Sequence, residues 1–194
     1  MKETTKSTQR RMEEDAAGVF PWRQIFTGRG LDVGAGDDPL QFPGCQPFDK
    51  GDGDANTLSR YFAPEMFDYI HASHCAEHLH DPSKSIRDWL TLVKPLGHIV
   101  LTVPDVGAYE RFTCPSRYNP DHKSSWSMIY LGSSFPIHVH IPTWVKQFDD
   151  VAITVLARYV ERNYNWKLKP EFDQTWTLAT GCEIWNEIVF QKRL

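Results

Sequence analysis

Between Gly28 and Pro104 short β-prone apolar runs alternate with helix-patterned stretches, and this alternation most narrows what the chain can fold into. Gly30–Gly34 reads as a short buried strand ending in a glycine turn, and Gln46-Pro47-Phe48-Asp49-Lys50 as the end of a second strand. Asn56–Phe62 predicts a short helix and Met66–Ala72 a strand. In Ser83–Val93 the apolar residues Ile86, Trp89, Leu90 and Val93 fall at helical spacing; Asp81-Pro82-Ser83 supplies the start signal and Lys94-Pro95-Leu96-Gly97 the stop. His98–Val103 is a β-prone run closed by Pro104. Strands separated by helices pair in parallel, because each crossover returns the chain over the same sheet. The expected class is α/β, with a mainly parallel central sheet flanked by helices.

The flanks differ. Asp105–Pro142 is rich in aromatics, Pro and Ser without a clear period, which suits a functional loop or cap. Trp144–Phe148 predicts a short helix, and Val151–Tyr159 and Cys182–Gln191 two further strands. Residues 1–17 are almost wholly polar and predict a frayed arm that turns helical near Met12–Ala17. The expected organisation is a polar arm and helix over 1–27 and one domain over 28–194, with an insertion at about 105–142. With 21 basic against 25 acidic residues the chain has a formal charge of −4, too little positive field to capture a nucleic acid or an anionic membrane. No run approaches the ~18 apolar residues of a membrane span. Cys45, Cys75, Cys114 and Cys182 are far apart and no apolar leader is visible, which predicts a reduced, cytoplasmic protein.

In Leu31-Asp32-Val33-Gly34-Ala35-Gly36-Asp37 two glycines let a strand turn sharply while a ligand approaches the backbone. Asp49 follows where a second strand ends, and a carboxylate there can accept both hydroxyls of a ribose. With these residues the chain resembles the class I S-adenosylmethionine-dependent methyltransferases over about residues 28–105. Asp32, Val33, Gly34, Ala35 and Gly36 look like the first motif of that family, Asp49 with Lys50 like its ribose site, and Asp54-Ala55 like the pair beside adenine. Phe67–His74 is similar to its fourth strand, which would bring Ser73 and His74 to the cofactor, and Leu92-Val93-Lys94-Pro95-Leu96-Gly97 to its helix-to-strand turn. The resemblance implies a Rossmann-like fold, S-adenosylmethionine as cofactor and a cap after the fifth strand of the family. Two departures stand out. Gly36 to Asp49 is too short for the usual first helix plus strand, and Asp38 stands where a third glycine often does, which weighs against a nicotinamide-dinucleotide fold. Asp32, Asp37, Asp38, Asp49 and Asp54 suit a cofactor that is cationic at sulfur and ammonium and would repel a pyrophosphate.

His71, His74, His78 and His80 crowd together, and His74-Cys75-Ala76-Glu77-His78 fits the H-x-x-E-H pattern of zinc proteases. A protease needs both histidines on one helix, and little helix fits between a strand ending near Ser73 and Pro82. The stretch is more similar to the E-x-x-E-H of ubiquinone-biosynthesis O-methyltransferases and small-RNA 2′-O-methyltransferases, where two carboxylates and an imidazole hold a divalent ion. That likeness gives His74, Glu77 and His78 as a metal set, with His74 in place of the first Glu. The favoured expectation is metal-free, with Glu77 bonded to backbone and His78 packed under the cofactor.

Cys114–Lys123 is dense in groups that recognise hydroxyls: Arg117, Asn119, His122 and Lys123 are candidate acceptor contacts. It resembles a P-S-R-x-N-x-D-H-K stretch of methyltransferase-like proteins from bacterial and phage genomes, which implies a glycan-like or small-molecule acceptor. A sugar hydroxyl is a poor nucleophile near neutral pH, so a base helps; His122, oriented by Asp121 or another carboxylate, is the first candidate, and His74 and His78 follow. No Asn/Asp-Pro-Pro-Tyr/Phe run occurs at residues 71–76, which disfavours methylation of base amines. The rival reading is a non-catalytic protein that keeps this fold for binding or scaffolding.

Overall fold

The computed structural model describes residues 2–169, 171–176 and 179–194. The chain opens with helices α1 (Glu3–Ala16) and α2 (Trp22–Ile25), followed by strands β1 (Gly30–Val33), β2 (Cys45–Phe48) and β3 (Phe67–Ser73). Helix α3 (Pro82–Leu92) leads directly into β4 (Val93–Pro104). A small parallel pair, β5 (Ser124–Ser127) and β6 (Ile137–His140), lies in the insertion; then come α4 (Ile141–Trp144), β7 (Ala152–Arg162) and β8 (Glu183–Lys192). The main sheet has the order β2-β1-β3-β4-β8-β7. β1 to β4 pair in parallel, whereas β8 is antiparallel to both β4 and β7. The expected mainly parallel sheet is present.

Strand alternation sends Leu31, Val33, Ile70, Ala72, Ile99, Leu101, Ile188 and Phe190 to one face, where they pack against Ile86, Trp89 and Leu90 of α3. Asp81 starts α3 by accepting from the Lys84 amide, with Pro82 in the first turn, as the sequence signals predict. Its stop differs: Val93 is already extended, and Lys94–Gly97, expected to end the helix, lies within β4. No helix intervenes between β1 and β2. β2 is consequently an edge strand, and its Pro47 spares that edge one ladder donor.

The N-terminal segment overturns the expectation of a frayed arm. Glu3–Ala16 is helical throughout, and its Glu3, Thr4, Lys6, Ser7, Arg10 and Arg11 are buried. The cause is a polar sheet face beneath it. Asp32, His71, Thr102, Glu187 and Arg158 share the face opposite α3, and Arg10 and Arg11 descend into them. Arg11 Nε donates to Glu187 at 2.8 Å and its Nη2 to Thr102 Oγ1 at 2.8 Å. Arg10 reaches Glu183 at 2.7 Å and Glu187 at 2.8 Å, while Arg158 ties Glu187 to Glu14. Beside this belt Trp22, Ile25 and Phe26 pack on Tyr69, Val100 and Val189.

Candidate active site

Two joined cavities open where β1, β2 and β3 end. The larger, about 490 Å³, is walled by Phe48, Asp49, Lys50, Asp54, Ala55 and Lys123, and the smaller, about 140 Å³, by Glu3, Ser73, Glu77, Tyr109 and His122. Gly34, His74, His78 and Asn119 border both. Gly34 holds φ = 74°, and a Cβ there would stand 2.7 Å from the Cys75 Cβ, so glycine is required by conformation and by space. Ala35 and Gly36 line the smaller cavity. The structure thus brings the glycine turn to the cavity edge.

Two expected cofactor residues lie elsewhere. Asp32 is turned into the belt beneath α1, where it accepts from the Leu40 amide at 2.7 Å and from His71 Nδ1 at 2.6 Å. Because Arg11 donates to His71 Nε2 at 3.0 Å, the proton sits on Nδ1, and burial pushes this imidazole pKa down. Val33 is wholly buried in the apolar core. Asp38 caps α1 by accepting from the Thr5 amide and hydroxyl.

The chemistry concentrates around Glu77. His74, at φ = 52°, and the 3-10 turn Ala76–His78 put the histidines of H-x-x-E-H on a bend, which excludes the zinc-protease geometry. Both Glu77 carboxylate oxygens are buried without a hydrogen bond, contrary to the expected bond to backbone. Instead Glu77 Oε1 lies 3.6 Å from His74 Nδ1 and 3.7 Å from His122 Nε2. Burial pushes this carboxyl up, but His74, His122 and His78 overcome it and hold it at about 2. Burial likewise opposes charge on His74, yet Glu3 and Glu77 lift it to about 9.

His122 is buried, with Nδ1 2.5 Å from Glu110 Oε1. Glu110 is fully buried twelve residues before it, on the same insertion; sequence reasoning missed it because nothing local marks a carboxylate that returns through a turn. Asp121, the expected orienting group, is exposed on the wall of the larger cavity, and its carbonyl lies 3.3 Å from His78 Nδ1. Asn119 lies 3.5 Å from His78 Nε2, and Lys123 is brought to the larger cavity. Arg117 is exposed, bonds Thr113 and lines neither cavity. The expected metal set changes too: among the described residues, Glu77, His78 and His122 bring ligand atoms within 4.8 Å of one another, so His122 takes the place given to His74.

The mainly parallel sheet with one reversed strand, with a glycine turn and a carboxylate–imidazole cluster at its strand ends, is a Rossmann-like fold. The sequence pattern of a methyltransferase-domain family matches residues 8–146, and the chain belongs to that family: it is an S-adenosylmethionine-dependent methyltransferase. No curated protein sequence matches it. Solved structures share the fold at low identity. One is a protein that converts a disulfide bond into a thioacetal group during echinomycin biosynthesis, at 13% identity and TM-score 0.58, covering 94% of this chain and 80% of that one. Another is a SAM-dependent methyltransferase of Methanosarcina mazei, at 14% identity and TM-score 0.52, covering 90% and 98%.

Proposed function

We propose that the protein methylates a hydroxyl oxygen of a small-molecule or glycan-like acceptor, with His122 as general base and Glu110 orienting it. The observation that carries this reading is the Glu110–His122 contact: a carboxylate at Nδ1 orients the ring of a residue that lines the cavity and leaves Nε2, 3.7 Å from Glu77 Oε1, as the nitrogen that would take the acceptor proton. S-adenosylmethionine supplies a methyl carbon on a cationic sulfur, a good leaving group, so the chain's own work is to position the acceptor and take its proton. Asp49 would hold the ribose, Asp54 and Ala55 the adenine side, and Gly34, Ala35, Gly36 and Ser73 the methionine portion. Among the described residues the smaller cavity is bordered by Glu3, Asp37, Asp38 and Glu77 and by no Lys or Arg, which favours the ammonium and sulfonium of the cofactor and an uncharged acceptor.

Removing a general base typically costs ~10²–10⁴ in rate. His122→Ala is expected to lose turnover on a labelled-methyl assay with hydroxylated acceptors while keeping cofactor affinity, and Glu110→Gln to lower kcat without moving it. A variant His122→Ala that turns over at the parental rate removes His122 from the chemistry.

A second reading is favoured by one observation, the convergence of Glu77, His78 and His122. These residues would hold a divalent ion that lowers the pKa of the acceptor hydroxyl, with His122 as ligand instead of base. Chelation separates the two. Full activity in chelator is expected for the base; loss restored by added Mn²⁺ or Zn²⁺, with unchanged cofactor binding, would establish the ion.

A further inference from the structure

Two neighbouring loops expose large apolar side chains. Phe112, Ile129, Tyr130 and Leu131 come from the insertion, and Trp166, Leu168, Phe172 and Trp176 from the segment between β7 and β8; each is 42–81% exposed. The loops are joined. Phe112 meets Tyr130 edge-on, Arg111 lies against the rings of Tyr164 and Trp166, and Tyr118 donates to the Phe172 carbonyl. An aromatic path leads inward from these loops, through Tyr118 on Tyr109 at 5.0 Å and Tyr109 on His122 at 5.8 Å. Scattered exposed hydrophobes need no explanation, but a group of eight on two joined loops does.

The backbone underlines the point. Arg111 and Phe112 are successive non-glycine residues with φ of 50° and 55°, a left-handed conformation that costs free energy at each. What the strain achieves is visible: Phe112 is turned to solvent while Arg111 is laid between the loops.

We propose that this apolar and basic surface docks on an anionic lipid surface. Composition selects the occupant. Trp, Tyr and Phe with flanking Lys and Arg are the residues that settle at headgroup depth. Residues 111–136 and 164–176 together carry five basic side chains (Arg111, Arg117, Lys123, Lys167, Lys169) and three acidic ones (Asp121, Glu171, Asp173), the reverse of the 21 to 25 of the whole chain. Arg117, Lys167 and Lys169 are exposed on these loops, where anionic headgroups attract such cations. Residues 124–136 contain no charged side chain. Overall charge is therefore a poor guide to what this one face meets.

The inference is independent of the acceptor chemistry, since docking needs no turnover. The full chain would be sedimented with vesicles of phosphatidylcholine and phosphatidylglycerol in equal amounts, and with phosphatidylcholine alone. Pelleting with the mixed vesicles, weaker pelleting with the neutral ones, and a blue shift of tryptophan emission are expected. A Trp166→Ser, Phe172→Ser, Trp176→Ser triple variant should lower the bound fraction at least tenfold with cofactor affinity retained. Should that variant misfold, Ile129→Ser with Leu131→Ser on the other loop makes the same test. Parent protein that stays in the supernatant overturns the proposal, as do variants that pellet like the parent. A concentration-dependent dimer abolished by the same substitutions would overturn it in favour of a second copy of the chain.

Discussion

At the scale of single residues, the site is governed by which proton acceptor a side chain finds. His122 finds Glu110, a carboxyl group with no exposure, 2.5 Å from its Nδ1, and this contact fixes the orientation of the ring. A partner in water, such as Asp121, would screen the charge and leave the ring free to turn. Asp49 works differently. Its Oδ1 already accepts from the Lys50 amide, and Asp52 in turn accepts from the Asp49 amide, so the carboxylate is held at the cavity edge before any ligand arrives. A carboxylate gripping two hydroxyls contributes about 1.5–3 kcal/mol. Asp49→Ala should therefore weaken S-adenosylmethionine binding by about tenfold or more, read by calorimetry. Equal affinity in the variant would remove Asp49 from the ribose site.

At the scale of elements, α1 is a polar helix docked by ions. Arg10 and Arg11 meet Glu183 and Glu187, and replacing one member of such a buried group leaves the others uncompensated. Glu187→Gln should cost about 3–5 kcal/mol at neutral pH, roughly 6–20 °C in melting temperature for a chain of this size. The pH dependence follows from the direction of the shift. Burial pushes the Glu187 carboxyl up, but Arg11, Arg10 and Arg158 overcome this and hold it at about 2, below its ordinary 4.5. A carboxyl depressed in the folded state stabilises fully above its unfolded pKa and loses that contribution as pH falls through the folded value. The gap in melting temperature between parent and Glu187→Gln should narrow as pH drops from about 4.5 toward 2. A gap constant over that range would show that charge on Glu187 does not hold the helix. The same helix carries Glu3 and Thr4 to the wall of the smaller cavity, so α1 docking and the shape of the site are one structural event.

At the scale of the whole molecule, the sheet separates duties. Its α3 face is an apolar core, its α1 face an ionic belt flanked by a smaller apolar cluster, and the strand ends carry the two cavities. The insertion after β4 closes the smaller cavity from one side through Tyr109, Asn119 and His122 and turns Phe112 and Tyr130 outward on the other. Among the described residues no helix is long and apolar enough to cross a membrane.

The sequence by itself determined what is local and periodic. Alternating apolar residues fixed β1, β3 and β4, the Asp81-Pro82 signal fixed the start of α3, and two glycines before Asp37 marked the glycine turn. These depend on neighbours a few residues away, and a glycine at φ = 74° leaves the same mark wherever the fold places it. Only the tertiary structure decided the rest. A run of polar residues in α1 looks like solvated arm until partners more than 170 residues away, Glu183 and Glu187, are found beneath it. Asp32 reads as a cofactor ligand until His71 and Leu40 claim it. Glu110 reads as nothing until a turn returns it to His122, because the free energy of a buried charge is set by what surrounds it in space, and spacing along the chain does not encode that.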